Sequence, residues 1–137
     1  MKRGGILLVF VFALLSCAKD DGSRIPETFV DYKTTVQEFE SLKGEYDILL
    51  VEGHGIAGLL IYKAGAYDYR AYDRCSSYEP EKRCAVVRQT AFTVKDPCSG
   101  SVFSLSDGAV QQGPAVRNLK RYRVRVVNNF NILVSND

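Results

Sequence analysis

Residues able to do chemistry are few in this sequence, and most of them fall in two short stretches. The first, DRCSSYEPEKRC, carries Cys75, Ser76, Tyr78 and Cys84; the second, KDPCSGSVF, carries Asp96, Cys98, Ser99 and Ser101. A proline beside a cysteine, followed by Ser-Gly-Ser, is turn chemistry, so the second stretch reads as a loop of the kind that holds an anion or a metal. Thiolates with a carboxylate suit zinc, and Cys75, Cys84 and Cys98 with Asp96 as a fourth ligand form one candidate set. That set lacks a Cys-x-x-Cys pair, so its spacing alone specifies no site. Covalent catalysis by a cysteine has weaker support, because neither stretch contains a histidine to act as its base. The single histidine, His54, stands upstream in a Gly-His-Gly turn and reads as a solvated turn residue. No phosphate loop, no hydrolase elbow and no convincingly spaced pair of carboxylates is present.

The elements that must position these loops are short and rich in Val, Ile, Tyr and Phe. Strands are predicted over 29–33, 46–51, 59–63, 67–73, 85–88, 92–95, 122–127 and 131–134, with a return into strand after the Ser-Gly-Ser turn. Gly44, Gly53, Gly55, Gly65, Gly100, Gly108 and Gly113 punctuate them as turns. Alternation is clearest in RYRVRV, where Tyr122, Val124 and Val126 face one way and Arg121, Arg123 and Arg125 the other. One helix is predicted over 35–43, with Val36, Phe39 and Leu42 on one side; two turns need packing to persist. The pattern gives an all-β domain of many short strands, a sandwich or barrel.

The stretch GHGIAGLLIYKAGAYDYRAYDRCSSYEP, followed by DPCSGSVFSLSDGAVQQGPAVRNLKRYRVRV, resembles the Rieske-type ferredoxin domain across residues 25–134. The most specific parts are Ala71-Tyr72-Asp73-Arg74, Gly100-Ser101-Val102-Phe103, and Gly113-Pro114-Ala115 with Leu119 and Tyr122. The resemblance implies a Rieske-like antiparallel β-sandwich or barrel with two loops at one tip. It also implies a centre of two irons and two sulfides on two cysteines and two histidines. In the family these ligands come from loops patterned Cys-x-His and Cys-x-x-His-Gly-Ser. Aligned on Gly100-Ser101, the ligand cysteine falls on Asp96 and the ligand histidine on Ser99. Cys98 falls on an intervening cysteine that forms a disulfide in many members. Ungapped from Asp73-Arg74, the first-loop ligands fall on Ser76 and Tyr78; in a register shifted to use Cys75, the histidine position is Ser77. Hard hydroxyl oxygens hold iron–sulfur clusters poorly, and two imidazoles are unobtainable from one histidine. The expectation is a degenerate member without the cluster and with no cofactor; the alternatives are an unusual [2Fe–2S] cluster or zinc. The resemblance also brings the two loops together, which favours a disulfide from Cys98 to either Cys75 or Cys84.

The chain opens MKRGGILLVFVFALLSC. Lys2 and Arg3 precede an apolar run over 6–15, too short to span a bilayer as a helix and of the right length for a signal segment. Its end, Leu-Leu-Ser-Cys, resembles a bacterial lipobox, which implies lipidation at Cys17. Residues 1–16 then read as a signal peptide, 17–24 as lipidated cysteine and tether, and 25–137 as the β domain. The expected partner is the membrane through the lipid on Cys17, and the expected place is the outer membrane of the cell envelope, on its periplasmic side or at the surface. Ala18 after the cysteine fits outer-membrane sorting, and Lys19-Asp20-Asp21 resembles the surface-export tag of some Gram-negative lipoproteins. An exported chain meets an oxidising compartment, which favours disulfides.

The sequence has 18 Lys and Arg against 16 Asp and Glu. Loss of Lys2 and Arg3 leaves the mature chain near neutral, which argues against nucleic acid as a partner. Arg117, Lys120, Arg121, Arg123 and Arg125 form a basic cluster, read first as the polar face of an exposed strand. Tyr67 and Tyr69 are expected on one strand face and Tyr72 on the other, as packing residues. Glu79, Glu81, Lys82 and Arg83 read as an exposed loop tip. The functional expectation is a binding or structural module with no enzyme activity, its contact tip formed by loops 75–84 and 96–101. The alternative is a Rieske-type electron-transfer component, or a thiol- or zinc-braced variant of it.

Overall fold

The computed structural model describes residues 24–136. The expected signal segment 1–16, the lipidation site Cys17 and the tether up to Ser23 lie outside the described residues. Among the described residues no helix is long and apolar enough to cross a membrane.

Among the described residues ten strands form two antiparallel sheets. The larger contains β1 (Asp31–Thr35), β2 (Ile48–Val51), β3 (Leu59–Gly65), β4 (Asp68–Asp73), β9 (Arg121–Val127) and β10 (Asn131–Ser135), in the order β1-β10-β9-β4-β3-β2. The smaller contains β5 (Val87–Arg88), β6 (Thr93–Lys95), β7 (Val102–Ser104) and β8 (Val110–Gln112), in sequence order. It lies between β4 and β9 in the sequence, while β4 and β9 themselves pair through Ala71–Tyr122 and Tyr72–Arg121. The smaller sheet is therefore an insertion carried on two adjacent strands of the larger one.

Side-chain patterning explains the layering. Alternate residues of β2 to β4 enter two different cores. Leu49, Leu59, Ile61, Tyr69 and Ala71 join Phe39, Tyr122, Ile132 and Val134 on one face. Ile48, Leu60 and Tyr72 join Val86, Val94, Phe103, Leu105 and Leu119 on the other. Strands covered on both faces read as unbroken apolar runs, which is why ILLV and LLIY show no alternation. The smaller sheet does not reach across β9, whose Arg121, Arg123 and Arg125 stay exposed while Tyr122 is buried. RYRVRV alternates for that reason.

The helix α1 (Val36–Leu42) starts at a capping box. Thr35 Oγ1 accepts from the Glu38 amide at 3.0 Å, and Glu38 Oε2 accepts from the Thr35 amide at 3.0 Å. Phe39 is buried, but Leu42 is 64% exposed, contrary to the expected common face. Successive i+3 steps drift backwards by about 60° around a 3.6-residue turn, so the third residue has rotated off the core.

A second expectation also fails locally. Tyr67 does not share a strand face with Tyr69: it sits in the β3–β4 turn at φ +56, 51% exposed, after a register shift between Lys63 and Gly65. The β9–β10 hairpin turns on Asn128 and Asn129 at φ +53 and +54, with the Phe130 amide donating to the Val127 carbonyl at 3.0 Å. Asparagine tolerates that left-handed region better than other non-glycine residues. The last strand of the smaller sheet, β8, had no counterpart among the predicted strands.

Candidate functional site

Asp73 ends β4 and begins the first loop. It is fully buried, and four donors reach its carboxylate. The amides of Ile56 (2.6 Å), Ala57 (3.1 Å) and Cys75 (2.8 Å) donate to it, as does the Tyr122 hydroxyl (2.8 Å). A buried carboxylate without such donors would be strongly destabilising. Gly55 allows the upstream loop to close on it: at φ +69, a Cβ there would meet Asp73 Oδ2 at 2.5 Å. Burial, and then the bond to Asp73, raises the Tyr122 hydroxyl well above its ordinary range, so it stays a donor. Arg74 continues the junction. Its Nη1 reaches Glu52 Oε1 at 2.6 Å, and its carbonyl accepts from the Val86 amide at 2.7 Å. Asp73 and Arg74 thus lock the inserted sheet and the Gly-His-Gly turn onto β4.

The second loop turns around another carboxylate. Asp96 is completely buried. Its Oδ1 accepts from the Cys98 amide at 2.8 Å and its Oδ2 from the Ser99 hydroxyl at 2.6 Å. The Ser76 hydroxyl of the first loop and the Ser99 amide also donate to it. Burial pushes the Asp96 carboxyl up, but the hydroxyls of Ser99 and Ser76 and the amides of Cys98 and Ser99 outweigh it. The net result lies below the ordinary carboxylate range. Ser101 extends the network: its Oγ accepts from the Ala115 amide at 2.9 Å and lies 2.8 Å from Ser99 Oγ. The backbone closes the same turn, with Asp96 N to Ser101 O and Gly100 N to Asp96 O, both 2.8 Å.

Of the positions singled out in the sequence, Asp96, Ser99 and Ser76 meet in this one network. Tyr78 does not join the carboxylate; its amide donates to Ser76 Oγ at 3.2 Å and its side chain packs at the edge of the core. The shifted-register pair points elsewhere. Ser77 donates to the Arg117 carbonyl. The Cys75 thiol is buried, 3.5 Å from the Pro80 carbonyl, and burial followed by the Asp73 charge pushes it up to about 11. Such a thiol is inert as a nucleophile at neutral pH.

Cys84 and Cys98 form a disulfide across a sequence separation of 14, with Cα atoms 6.4 Å apart. Of the two partners open to Cys98, the structure takes Cys84. The four-ligand zinc set therefore does not assemble. Cys84, Asp96 and Cys98 present their ligand atoms within 4.8 Å of one another, and Cys75 is not among them. The reason is the Cys75–Ala85 bridge, which turns the Cys75 side chain into the interior beneath the loop. A cleft of about 320 Å³ lies over the disulfide, walled by Tyr78, Glu79, Lys82, Ser99 and Pro114.

The donor set does not fit a Rieske cluster, which takes two thiolates and two imidazoles. The aligned positions offer two serine hydroxyls, a phenol and a carboxylate already engaged by protein donors. The two cysteines beside Asp96 are bonded to each other. His54 packs edge-on against Tyr32 of β1, with ring centroids 5.1 Å apart, and is half-buried there instead of solvated.

The remaining flagged residues divide between structure and surface. Tyr69 packs edge-on to Phe39 at 5.0 Å, and the Tyr72 hydroxyl donates to the Leu105 carbonyl at 2.9 Å. Lys120 pairs with Glu27 of the N-terminal segment at 2.7 Å, which splits it from the strand arginines of the basic cluster. Glu79 and Arg83 flank a short 3₁₀ turn, Pro80–Lys82, both at positive φ, and Glu79 pairs with Lys82. Asp73 is the residue whose role sequence reasoning missed.

No protein-family model matches the chain, and no curated protein matches it. Solved structures do. A chain from the complex of reduced oxygenase and oxidized ferredoxin in carbazole 1,9a-dioxygenase is 18% identical, with 79% of this chain and 94% of that chain covered and a TM-score of 0.57. The cyanobacterial plasma membrane Rieske protein PetC3 from Synechocystis PCC 6803 is 23% identical, with 79% and 98% covered and a TM-score of 0.53. At such identities the likeness establishes architecture and not activity. Two antiparallel sheets, the smaller inserted between paired strands and ending in two loops at one tip, give this chain the Rieske-type fold.

Proposed function

We propose that this chain is a cluster-free Rieske-fold module of the cell envelope, tethered by a lipid on Cys17, that binds or braces a protein partner through its loop tip. One observation carries the reading. Asp96, at a cluster-ligand position of the resemblance, is completely buried and its carboxylate is engaged by Ser99, Ser76 and the Cys98 amide. Those donors do for the loop what a metal–ligand bond does elsewhere: they fix its course and neutralise a buried charge. The Cys84–Cys98 disulfide adds a covalent brace in the same place. The shape left at the tip is a cleft with a polar rim, a feature suited to a partner.

A second reading keeps an electron-transfer role, and the oxygenase–ferredoxin complex and the Rieske protein among the solved neighbours favour it. It requires iron to be held by residues that offer neither imidazole nor free thiolate. Elemental analysis and thiol titration on one anaerobically purified sample separate the two. The expected result is a colourless protein without iron, in which Cys75 becomes reactive only after denaturation. Two irons and two acid-labile sulfides per chain would refute the proposal.

A further inference from the structure

The Asp96 network has a property that its role as a loop brace does not require. The Ser99 hydroxyl has a single proton and two acceptors in reach, Asp96 Oδ2 at 2.6 Å and Ser101 Oγ at 2.8 Å. Ser101 Oγ receives the Ala115 amide and, as a hydroxyl oxygen, retains a second lone pair. Rotation of the Ser99 hydroxyl towards Ser101 Oγ therefore frees a lone pair on Asp96 Oδ2. The sulfurs of Cys84 and Cys98 and a carboxylate oxygen of Asp96 all lie within 4.8 Å of one another. Cys98 is exposed and the disulfide opens onto the cleft, so a reductant has access to it.

We propose that reduction of the Cys84–Cys98 disulfide converts the brace into a site for a thiophilic divalent cation, Zn²⁺ above all. Its ligands are Cys84 Sγ, Cys98 Sγ and an Asp96 carboxylate oxygen. The fourth position opens to solvent in the cleft. The inference rests on the cluster-free reading of the tip. The reductant is an external dithiol. One of its thiolates attacks Cys98 Sγ, the S–S bond breaks, and Cys84 leaves as thiolate. The second thiol of the reductant resolves the mixed disulfide, so two electrons enter the protein and the dithiol becomes a cyclic disulfide. Each protein sulfur gains a proton, and the metal displaces both on binding. Tetrahedral zinc with Zn–S near 2.3 Å needs the sulfurs only about 3.8 Å apart. Side-chain rotation about the 6.4 Å Cα separation reaches that distance.

The full chain is reduced with a phosphine under argon, freed of reagent, and titrated with Zn²⁺ against a chromophoric chelator, with Co²⁺ as an optical probe. The reduced chain is expected to bind one Zn²⁺, roughly 100-fold tighter than the oxidised chain, the scale of adding two thiolates to a carboxylate. Co²⁺ is expected to give sulfur-to-metal charge-transfer bands that Cys98→Ser weakens and Cys75→Ser leaves intact. Equal zinc affinity in both redox states, or loss of the bands in Cys75→Ser, would overturn the site. If reduction loosens the fold, added Zn²⁺ must raise the melting temperature of the reduced chain; a failure to do so overturns the site equally. Iron and visible colour in the untreated protein would overturn the cluster-free reading instead, whereas a colourless protein indifferent to zinc overturns this inference alone.

Discussion

Replacing both tip cysteines, Cys84→Ser with Cys98→Ser, removes the brace without opening a cavity, because one side chain is half-buried and the other exposed. The effect follows from the loop that the bond closes. A sequence separation of 14 defines a ring that holds the β5–β6 hairpin and its flanks. Freeing a ring of about 15 residues in the unfolded chain lowers stability by about 3 kcal/mol in the chain-entropy account. For a domain of this size each kcal/mol moves the midpoint by about 4 °C, so the variant should melt about 12 °C below the parent. Because the change lies in the unfolded ensemble, far-ultraviolet circular dichroism of the native state should be unchanged and the urea m-value should rise. Urea titrations followed by circular dichroism test the stability loss, the native signal and the m-value, and a thermal melt tests the midpoint. A loss under about 1 kcal/mol would refute the reasoning, since the Asp96 network would then hold the loop without covalent help.

Three further perturbations probe the buried polar junctions and the helix. Asp96→Asn should destabilise the fold and flatten its acid limb. The folded-state pKa of Asp96 is lowered, so its contribution is fully present above the unfolded carboxyl pKa of about 3.9 and is lost as pH falls through the folded value. Stability measured from pH 7 down to pH 2 should show a shallower fall in the variant; parallel curves would contradict the assignment. Tyr122→Phe leaves one lone pair of the buried Asp73 carboxylate without its donor and should cost about 1–3 kcal/mol by urea titration. Thr35→Ala removes the capping box and should cost about 1 kcal/mol, with a loss of helical ellipticity confined to the two turns of α1.

Legibility in the sequence followed exposure. RYRVRV announced its register because one face of β9 is uncovered, and the alternation predicted there is the one observed. The runs ILLV and LLIY identified strands but not which residue enters which core, since both faces of β2 and β3 are buried. Thr35 and Glu38 mark the start of α1 in the sequence, and the backward drift of two i+3 steps carries Leu42 off the core into solvent. At the tip, the resemblance brought Asp96, Ser99 and Ser76 into view as a set because aligned positions share a place in space. It left the partner of Cys98 open, because Cys75 and Cys84 sit on the same loop and the choice turns on one backbone bridge, Cys75 to Ala85. The Asp73 junction lay hidden for a similar reason. Three of its four donors are backbone amides, which carry no sequence signature.

The claim on which the account depends is that a carboxylate and its hydrogen bonds occupy the place of iron ligands. The most direct measurement is electron paramagnetic resonance on protein isolated anaerobically and reduced with dithionite. A silent spectrum is the expected result. A rhombic signal with the low average g of an iron pair held by mixed histidine and thiolate ligands would contradict it.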